Sequence, residues 1–171
     1  RIAAYIKQTV MQKKGNYLAF FPSYRMLQDV MACTGPKLDT SIRCICQTSG
    51  MTEEEREAFL HEFEQKRKED EGLLGFCVMG GIFSGGVDMM QDSLIGAIIV
   101  GTGIPQICRE REILKQYYDG RNEDCFAYAY RYPGMNKVLQ SAGRVIRTAQ
   151  DRGVVLLLDE RFAKSEYRKM F

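Results

Sequence analysis

The chain has 171 residues, of which 45% are hydrophobic and 27% charged, and its net charge is +2. This balance is typical of a globular protein, and the length fits one domain spanning residues 1–171. No apolar run approaches the roughly 20 residues that span a bilayer, and no signal peptide is visible, so we expect no membrane association. Residues 53–71 carry a net charge of −5. The rest is therefore basic, which allows an anionic partner without requiring one.

The six cysteines form no C-x-x-C pair, and His61 is the only histidine. The sequence therefore predicts neither a zinc site nor a disulfide framework, and we expect no metal ligands. Reduced cysteines favour a cytoplasmic protein. A lone histidine offers no partner for a nucleophile, so we assign it no catalytic role.

Residues 1–79 predict three strands alternating with helices. A capping box, Thr52 to Glu55, marks the start of the third helix, with Phe59, Phe63 and Leu60 facing inward. The predicted elements are a helix at 2–14 that ends at Gly15, a strand at 17–21, a helix at 25–32, a strand at 42–46, a helix at about 53–69 and a strand at 73–79.

The second half continues the alternation, with a glycine-rich loop at 80–92, a strand at 94–100, a loop at 101–106, helices at about 107–119 and 134–148, and a strand at 154–158. Each strand is a continuous apolar run, which is typical of a parallel sheet covered on both faces. Ligands bind at the carboxyl ends of such strands, so the loops 22–24, 80–92 and 101–106 are the candidate binding loops. Tyr128, Tyr130 and Tyr132 alternate, which predicts either base-stacking groups or a half-buried extended segment.

The predicted helix at 134–148 contains Gln140, Arg144 and Arg147, whose spacings of four and three place them on one face. Arginine donates bidentate hydrogen bonds to phosphate oxygens, so this face suits a polyphosphate. The alternative is ordinary surface charge. Gly143 favours the first interpretation. A glycine inside a helix costs about 1 kcal/mol relative to alanine, and a ligand or another backbone segment lying close to the helix would explain why the side chain is absent.

Two further segments carry candidate chemistry. The loop from Gly80 to Asp88 lets backbone approach a ligand closely, with Ser84 and Asp88 as polar contacts, although a flexible turn explains it equally well. The strand at 154–158 ends in Asp159 and Glu160 and looks like a Walker B strand. The chain contains no G-x-x-x-x-G-K-[ST] sequence, so we favour a strand that ends in solvated charges.

Taken in order, the motifs resemble the second motor domain of superfamily 2 helicases of the DinG/XPD type. Phe20 to Tyr24 resembles motif IV, Gly80 to Asp88 motif V, and Gln140 to Arg147 motif VI. The resemblance covers nearly the whole chain. It implies a RecA-like α/β fold, a three-layer sandwich with a mostly parallel central sheet flanked by helices. It also implies that this is a segment of a longer ATP-dependent DNA helicase, of the kind active in DNA repair, whose first motor domain lies outside these residues.

The resemblance also implies site residues and partners. ATP and Mg²⁺ would be bound mainly by the first motor domain, so the isolated chain would be inactive, and single-stranded DNA would cross both domains. The implied roles are Arg147 as an arginine finger, Arg144 as its assistant and Gln140 as their positioning group, Gly86 and Asp88 at the nucleotide's edge, and Ser23, Tyr24, Ser84 and Thr102 facing DNA.

The chain departs from the family pattern at Gly85, where motif V usually has an acidic residue. This departure leaves open a second function, a non-enzymatic RecA-like module that binds nucleic acid or protein. A free-standing nucleotide-binding protein is a third reading, against which the missing phosphate loop argues.

Overall fold

A computed structural model describes residues 1–83, 94–121 and 123–171. Within these residues, five strands form one sheet in the order β2-β3-β1-β4-β5, and every neighbouring pair is parallel. The strands are β1 (Asn16–Phe21), β2 (Ile42–Cys46), β3 (Gly72–Val78), β4 (Gly96–Val100) and β5 (Val154–Leu158). The predicted parallel sheet is confirmed, and the limits of β2 and β5 agree with the sequence-based expectation.

Six α-helices are described in these ranges, together with short turns of 3-10 type at Gly35–Lys37 and Glu160–Ala163 and of π type at Ala127–Arg131. None of the helices in this part of the chain is long and apolar enough to cross a membrane. The helices are α1 (Ile2–Gln12), α2 (Tyr24–Thr34), α3 (Glu53–Glu64), α4 (Arg109–Asp119), α5 (Tyr132–Ala142) and α6 (Ser165–Arg168).

The sheet is covered on both faces, because alternate residues of each central strand point into different cores. In β1, Leu18 and Phe20 enter one core, whereas Tyr17, Ala19 and Phe21 enter the other. Helices α1 and α2 contribute to the second core, and α3, α5 and α6 to the first. The result is the predicted three-layer sandwich.

Helices α1 and α3 end earlier than expected. Helix α1 ends at Gln12, two residues before the predicted end, and Gly15 follows with φ +146°. Helix α3 begins with the predicted capping box, in which Thr52 and Glu55 bond each other's backbone N–H, but it ends at Glu64 rather than near 69. Its apolar face stops at Phe63, and the charged residues beyond it have no core to cover.

The segment that contains Tyr128, Tyr130 and Tyr132 is not extended either. Residues 127–131 form the π-type turn that leads into α5, with Tyr130 buried and Tyr128 and Tyr132 exposed. Tyr130 donates a hydrogen bond to Glu112 of α4, which raises the pKa of Tyr130 to about 12. This bond ties α4, a helix with no buried residue, to the body of the domain.

Candidate functional site

Three loops meet at the carboxyl edge of the sheet, as the parallel topology requires. They are residues 22–24 after β1, 79–83 after β3 and 101–106 after β4, and we call them the strand-edge loops. Met79 donates its backbone N–H to the Phe21 carbonyl oxygen, and the Pro22 ring lies beside Gly101. The candidate binding loops predicted from sequence are therefore neighbours, as far as they are described.

Ser23 and Tyr24 start α2, and each has a structural partner. Ser23 is the N-cap residue, whose Oγ accepts a hydrogen bond from Met26 N at 3.3 Å. The half-buried Tyr24 accepts a bond at its hydroxyl from Gln47 Nε2 at 2.8 Å. The exposed N-terminus of this helix presents backbone N–H groups, which suit an anion such as a phosphate.

Gln47 is a buried hub that sequence reasoning missed. Its side chain is 2% exposed, its Oε1 accepts from Val78 N at 2.9 Å, and its backbone N–H donates to Phe76 O at 2.8 Å. Together with the bond to Tyr24, these contacts fix the end of β2 against the end of β3 and the start of α2. A polar residue directly after an apolar strand is a weak signal, and nothing in the sequence pairs it with Tyr24.

Thr102 lies at the carboxyl edge but does not present its side chain to solvent. It is 1% exposed, and its Oγ1 has no hydrogen-bond partner among the described residues. Gly103 adopts φ +65°, and a Cβ on Gly134 of α5 would lie 2.7 Å from the Thr102 carbonyl oxygen. The loop after β4 therefore packs backbone to backbone on the first turn of α5. The sequence around Pro133 and Gly134 did not predict this contact.

The predicted platform helix is wrong at its C-terminal end. Helix α5 ends at Ala142, and Gly143 is its C-cap, with φ −64° and ψ −3°. Gln140 is therefore on the helix, whereas Arg144 and Arg147 follow it in a series of tight turns. Gly143 terminates the helix rather than opening space for a ligand inside it. We call residues 140–151 the arginine segment.

The arginine segment and the strand-edge loops lie at opposite ends of α5. The first turn of the helix touches Gly103, whereas Val145, beyond the last turn, contacts Gly153 directly before β5. A helix of 11 residues spans about 16 Å. The backbone of the arginine segment thus begins at the end of α5 that lies away from the loop after β4, although the charge of Arg144 still acts on Cys77 near the end of β3.

Within the segment, Arg144 is half-buried, whereas Arg147 and Gln140 are exposed. Burial raises the pKa of the Cys77 thiol in β3 far above its usual range, and the nearby charge of Arg144 partly offsets this effect. The guanidinium of Arg144 is therefore close enough to β3 for its charge to act on Cys77.

Asp151 holds the turn that follows Arg147. Its Oδ2 accepts from the backbone N–H groups of Arg147 and Thr148, both at 2.7 Å, and its Oδ1 accepts from Thr148 Oγ1 at 2.9 Å. The two backbone bonds are the main reason that the pKa of Asp151 lies below its usual range. Sequence reasoning noted the segment but gave Asp151 no role.

The other sequence-predicted positions are those of the glycine-rich loop and of the strand that looks like Walker B. Ser84, Gly85, Gly86 and Asp88 lie outside the described residues. Asp159, in the strand that looks like Walker B, forms a bidentate pair with Arg161 at 2.7 and 2.8 Å, which lowers the pKa of Asp159. Within the described ranges, no group of three or more His, Cys, Asp or Glu side chains could hold a metal ion.

A family model described as the helicase C-terminal domain matches residues 6–171. The chain belongs to this family. The match covers the whole sheet, the strand-edge loops and the arginine segment. It also agrees with the resemblance that motifs IV, V and VI suggested.

Known relatives are consistent with this assignment. The chain is 28% identical over 170 residues to the ATP-dependent DNA helicase CHL1 of Saccharomyces cerevisiae (strain YJM789), covering 92% of this chain and 20% of that protein. It is 30% identical over 154 residues to the regulator of telomere elongation helicase 1 homolog of Drosophila yakuba, covering 85% and 16%. The chain thus spans about a fifth of the length of these relatives.

Solved structures show the same fold. An XPD helicase superposes with a TM-score of 0.77 at 24% identity, covering 99% of this chain and 29% of that one. Domain 2 of the DEAD-box helicase Mss116p, solved with an RNA duplex, superposes with a TM-score of 0.56 at 12% identity, covering 94% and 49%. The expected RecA-like architecture is therefore confirmed.

Proposed function

We propose that this chain is the second motor domain of an ATP-dependent DNA helicase and completes an ATP site at the junction with a first motor domain. The observation that carries the proposal is the arginine segment, in which an exposed Arg147 and a half-buried Arg144 follow α5 on a pinned backbone. Arg147 acts as the arginine finger, Arg144 assists it, and Gln140 at the end of α5 helps to position them.

The chemistry of guanidinium groups supports this role. Charge builds on the phosphoryl oxygens as the γ-phosphate is transferred, and a fixed guanidinium stabilises that charge by bidentate hydrogen bonds. Arg147 is exposed, so a phosphate held by another domain can reach it. Arg144 is half-buried, and its position next to the end of α5 suits a supporting charge.

Single-stranded DNA is the proposed partner of the strand-edge loops. The N-terminus of α2, capped by Ser23, supplies backbone N–H groups for a phosphate, and Tyr24 lies beside it. Thr102 contributes through the backbone of its loop, because its side chain is buried. Ser84, Gly86 and Asp88 keep their proposed roles, at the DNA and at the nucleotide's edge, from the family resemblance alone.

The described residues fit ATP only in part. Arg144 and Arg147 suit its phosphates, but no phosphate loop occurs in the chain and no cluster of metal-binding side chains occurs in the described ranges. Mg²⁺, which neutralises phosphate charge during transfer, is accordingly held by the first motor domain in this proposal. We therefore expect the isolated chain not to hydrolyse ATP.

The test is the Arg147→Ala substitution in the full-length protein. Loss of an arginine finger lowers kcat on the order of a thousandfold or more. We expect DNA-stimulated ATP hydrolysis to fall by that order, while thermal unfolding and DNA affinity stay unchanged. Arg147→Lys should also lose most of the rate, because an ammonium cannot make the bidentate contact.

Arg152→Ala is the matched control, because Arg152 is an exposed arginine five residues along the chain. It should hydrolyse ATP at the normal rate. Near-normal hydrolysis by Arg147→Ala would overturn the proposal. The second candidate, a non-enzymatic nucleic-acid-binding module, rests on Gly85 and predicts salt-dependent DNA binding with no ATPase activity even in the full-length protein.

A further inference from the structure

The geometry points to Asp151 as the residue that positions the arginine finger. We infer that its carboxylate fixes the backbone at Arg147 and so holds the guanidinium where the transferring phosphoryl group needs it. The inference rests on the proposed function, because it assumes that Arg147 acts on ATP. Asp151 does not contact the substrate and acts only through Arg147.

The turn between Arg147 and Asp151 is held by a set of hydrogen bonds. The Asp151 carboxylate accepts three hydrogen bonds, from Arg147 N and Thr148 N at 2.7 Å and from Thr148 Oγ1 at 2.9 Å. The Asp151 backbone N–H returns a bond to the Thr148 carbonyl oxygen at 3.3 Å. The turn between Arg147 and Asp151 is thus closed from both sides.

Backbone hydrogen bonds also hold the arginine segment on either side of this turn. Upstream, Ile146 N donates to Ala142 O at 3.3 Å, which continues the end of α5. Downstream, Val154 N donates to Ile95 O at 3.0 Å and starts β5. Between these anchors the Asp151 carboxylate is the group that bonds directly to the Arg147 backbone among the contacts described.

A packing contact between Val145 and Gly153 keeps Asp151 itself in place. Val145 is 7% exposed, and a Cβ added to Gly153 would lie 2.2 Å from Val145 Cγ1. The close approach of Gly153 therefore locks the chain after Asp151 against the chain before Arg147. Arg147 is exposed, yet its backbone is held at both ends of a short turn.

A fixed backbone at Arg147 matters because the rate enhancement by a guanidinium depends on where that group lies. A displacement of about 1 Å at a reacting centre can lower a rate on the order of a hundredfold. A long, exposed arginine on a mobile loop would lose conformational entropy each time it reached the phosphate. The lowered pKa of Asp151 keeps its carboxylate ionised at neutral pH. Because this carboxylate already holds the backbone at Arg147, less conformational entropy is lost when the side chain reaches the phosphate.

The experiment compares Asp151→Ala, Asp151→Asn and Thr148→Val in the full-length protein, with Arg152→Ala as control. Asp151→Ala removes all three bonds, Asp151→Asn keeps one accepting oxygen, and Thr148→Val removes only the hydroxyl. We expect kcat for DNA-stimulated ATP hydrolysis to fall by about 10-fold to 100-fold in Asp151→Ala, less in Asp151→Asn and least in Thr148→Val. KM for ATP should change little, since the finger acts in the transition state.

Two measurements separate positioning from a merely structural role. Hydrogen exchange at the Arg147 and Thr148 amides should quicken in Asp151→Ala while the amides of β1 and β3 keep their protection. In an Arg147→Ala background, adding Asp151→Ala should cause no further loss of rate, because a residue that acts only through Arg147 has nothing left to position. A further loss of rate, or a full rate in Asp151→Ala alone, would overturn the inference.

The same series tells this inference apart from the proposed function. If Arg147→Ala hydrolyses ATP normally, the proposed function fails, whatever Asp151 does. If Arg147→Ala is inactive and Asp151→Ala is fully active, the proposed function stands and only the positioning role of Asp151 is lost.

Discussion

Gln47 shows how a single buried amide can organise one edge of a sheet. Its Oε1 and Nε2 are both satisfied, by Val78 N and by the Tyr24 hydroxyl. A buried amide with unpaired groups would be costly, whereas a satisfied one fixes its partners in a single arrangement. The partners of Gln47 come from the end of β3 and the start of α2, so two of the strand-edge loops depend on it.

We therefore expect Gln47→Leu to destabilise the domain by about 1–3 kcal/mol, because the Val78 N–H loses its acceptor in a buried site. Gln28→Leu is the matched control, since Gln28 is exposed on α2 and the chemical change is the same. Urea unfolding of the two variants measures the difference. Equal midpoints for both would mean that the Gln47 bonds contribute nothing to the free energy of unfolding.

Helix α5 is the element that relates the two parts of the candidate site. Its first turn packs on the loop after β4, where Lys137 also lies against Gly80 and Gly103. Its buried residues Met135 and Val138 join the first core, and the arginine segment starts at its last turn. The same helix therefore fixes where the loop after β4 packs and where the arginine segment begins.

Gly134→Ala tests the tight end of this element. An added Cβ would lie 2.7 Å from Thr102 O and 2.9 Å from Ile104 N, and backbone atoms cannot turn aside as a side chain can. We expect a loss of about 1–3 kcal/mol in unfolding free energy. Gly120→Ala, where the nearest atom is 3.7 Å away, is the control and should unfold like the parent protein in a thermal melt. Similar melts for the two variants would show that the loop after β4 has room to move.

The sequence patterns predicted which segments form helices and strands better than they predicted the residues at which a helix ends. The limits of β2 and β5 and the capping box at Thr52 were predictable, because apolar runs and caps are local signals. The end of α5 was not, because a 3.6-residue pattern continues past Gly143 although the backbone does not. Tyr128 and Tyr132 lie four residues apart, a helical spacing that the alternation with Tyr130 concealed.

Across the whole molecule, the order of the motifs predicted the family and the fold, whereas contacts distant in sequence escaped prediction. Gln47 meets Tyr24 across 23 residues, and Gly134 meets Thr102 across an entire helix. Asp151 bonds a turn only four residues away, but its role depends on where α5 ends. Each missed residue acts through a partner, and a single sequence without that partner's position carries no signal for it.

The position of β3 inside the sheet predicts how fast its cysteine reacts compared with the exposed cysteines outside the sheet. Cys33 and Cys108 are exposed, whereas Cys77 is fully buried in β3 with its pKa raised mainly by burial. Only a thiolate that reaches solvent is alkylated. We therefore expect iodoacetamide at neutral pH to label Cys33 and Cys108 rapidly, and Cys77 only at the rate of global unfolding, because β3 lies inside the sheet between β2 and β1. Mass spectrometry of timed samples gives the rates, and urea-unfolded protein, in which all six cysteines should react alike, is the control. Labelling of Cys77 as fast as Cys33 in the folded protein would contradict the buried position of β3.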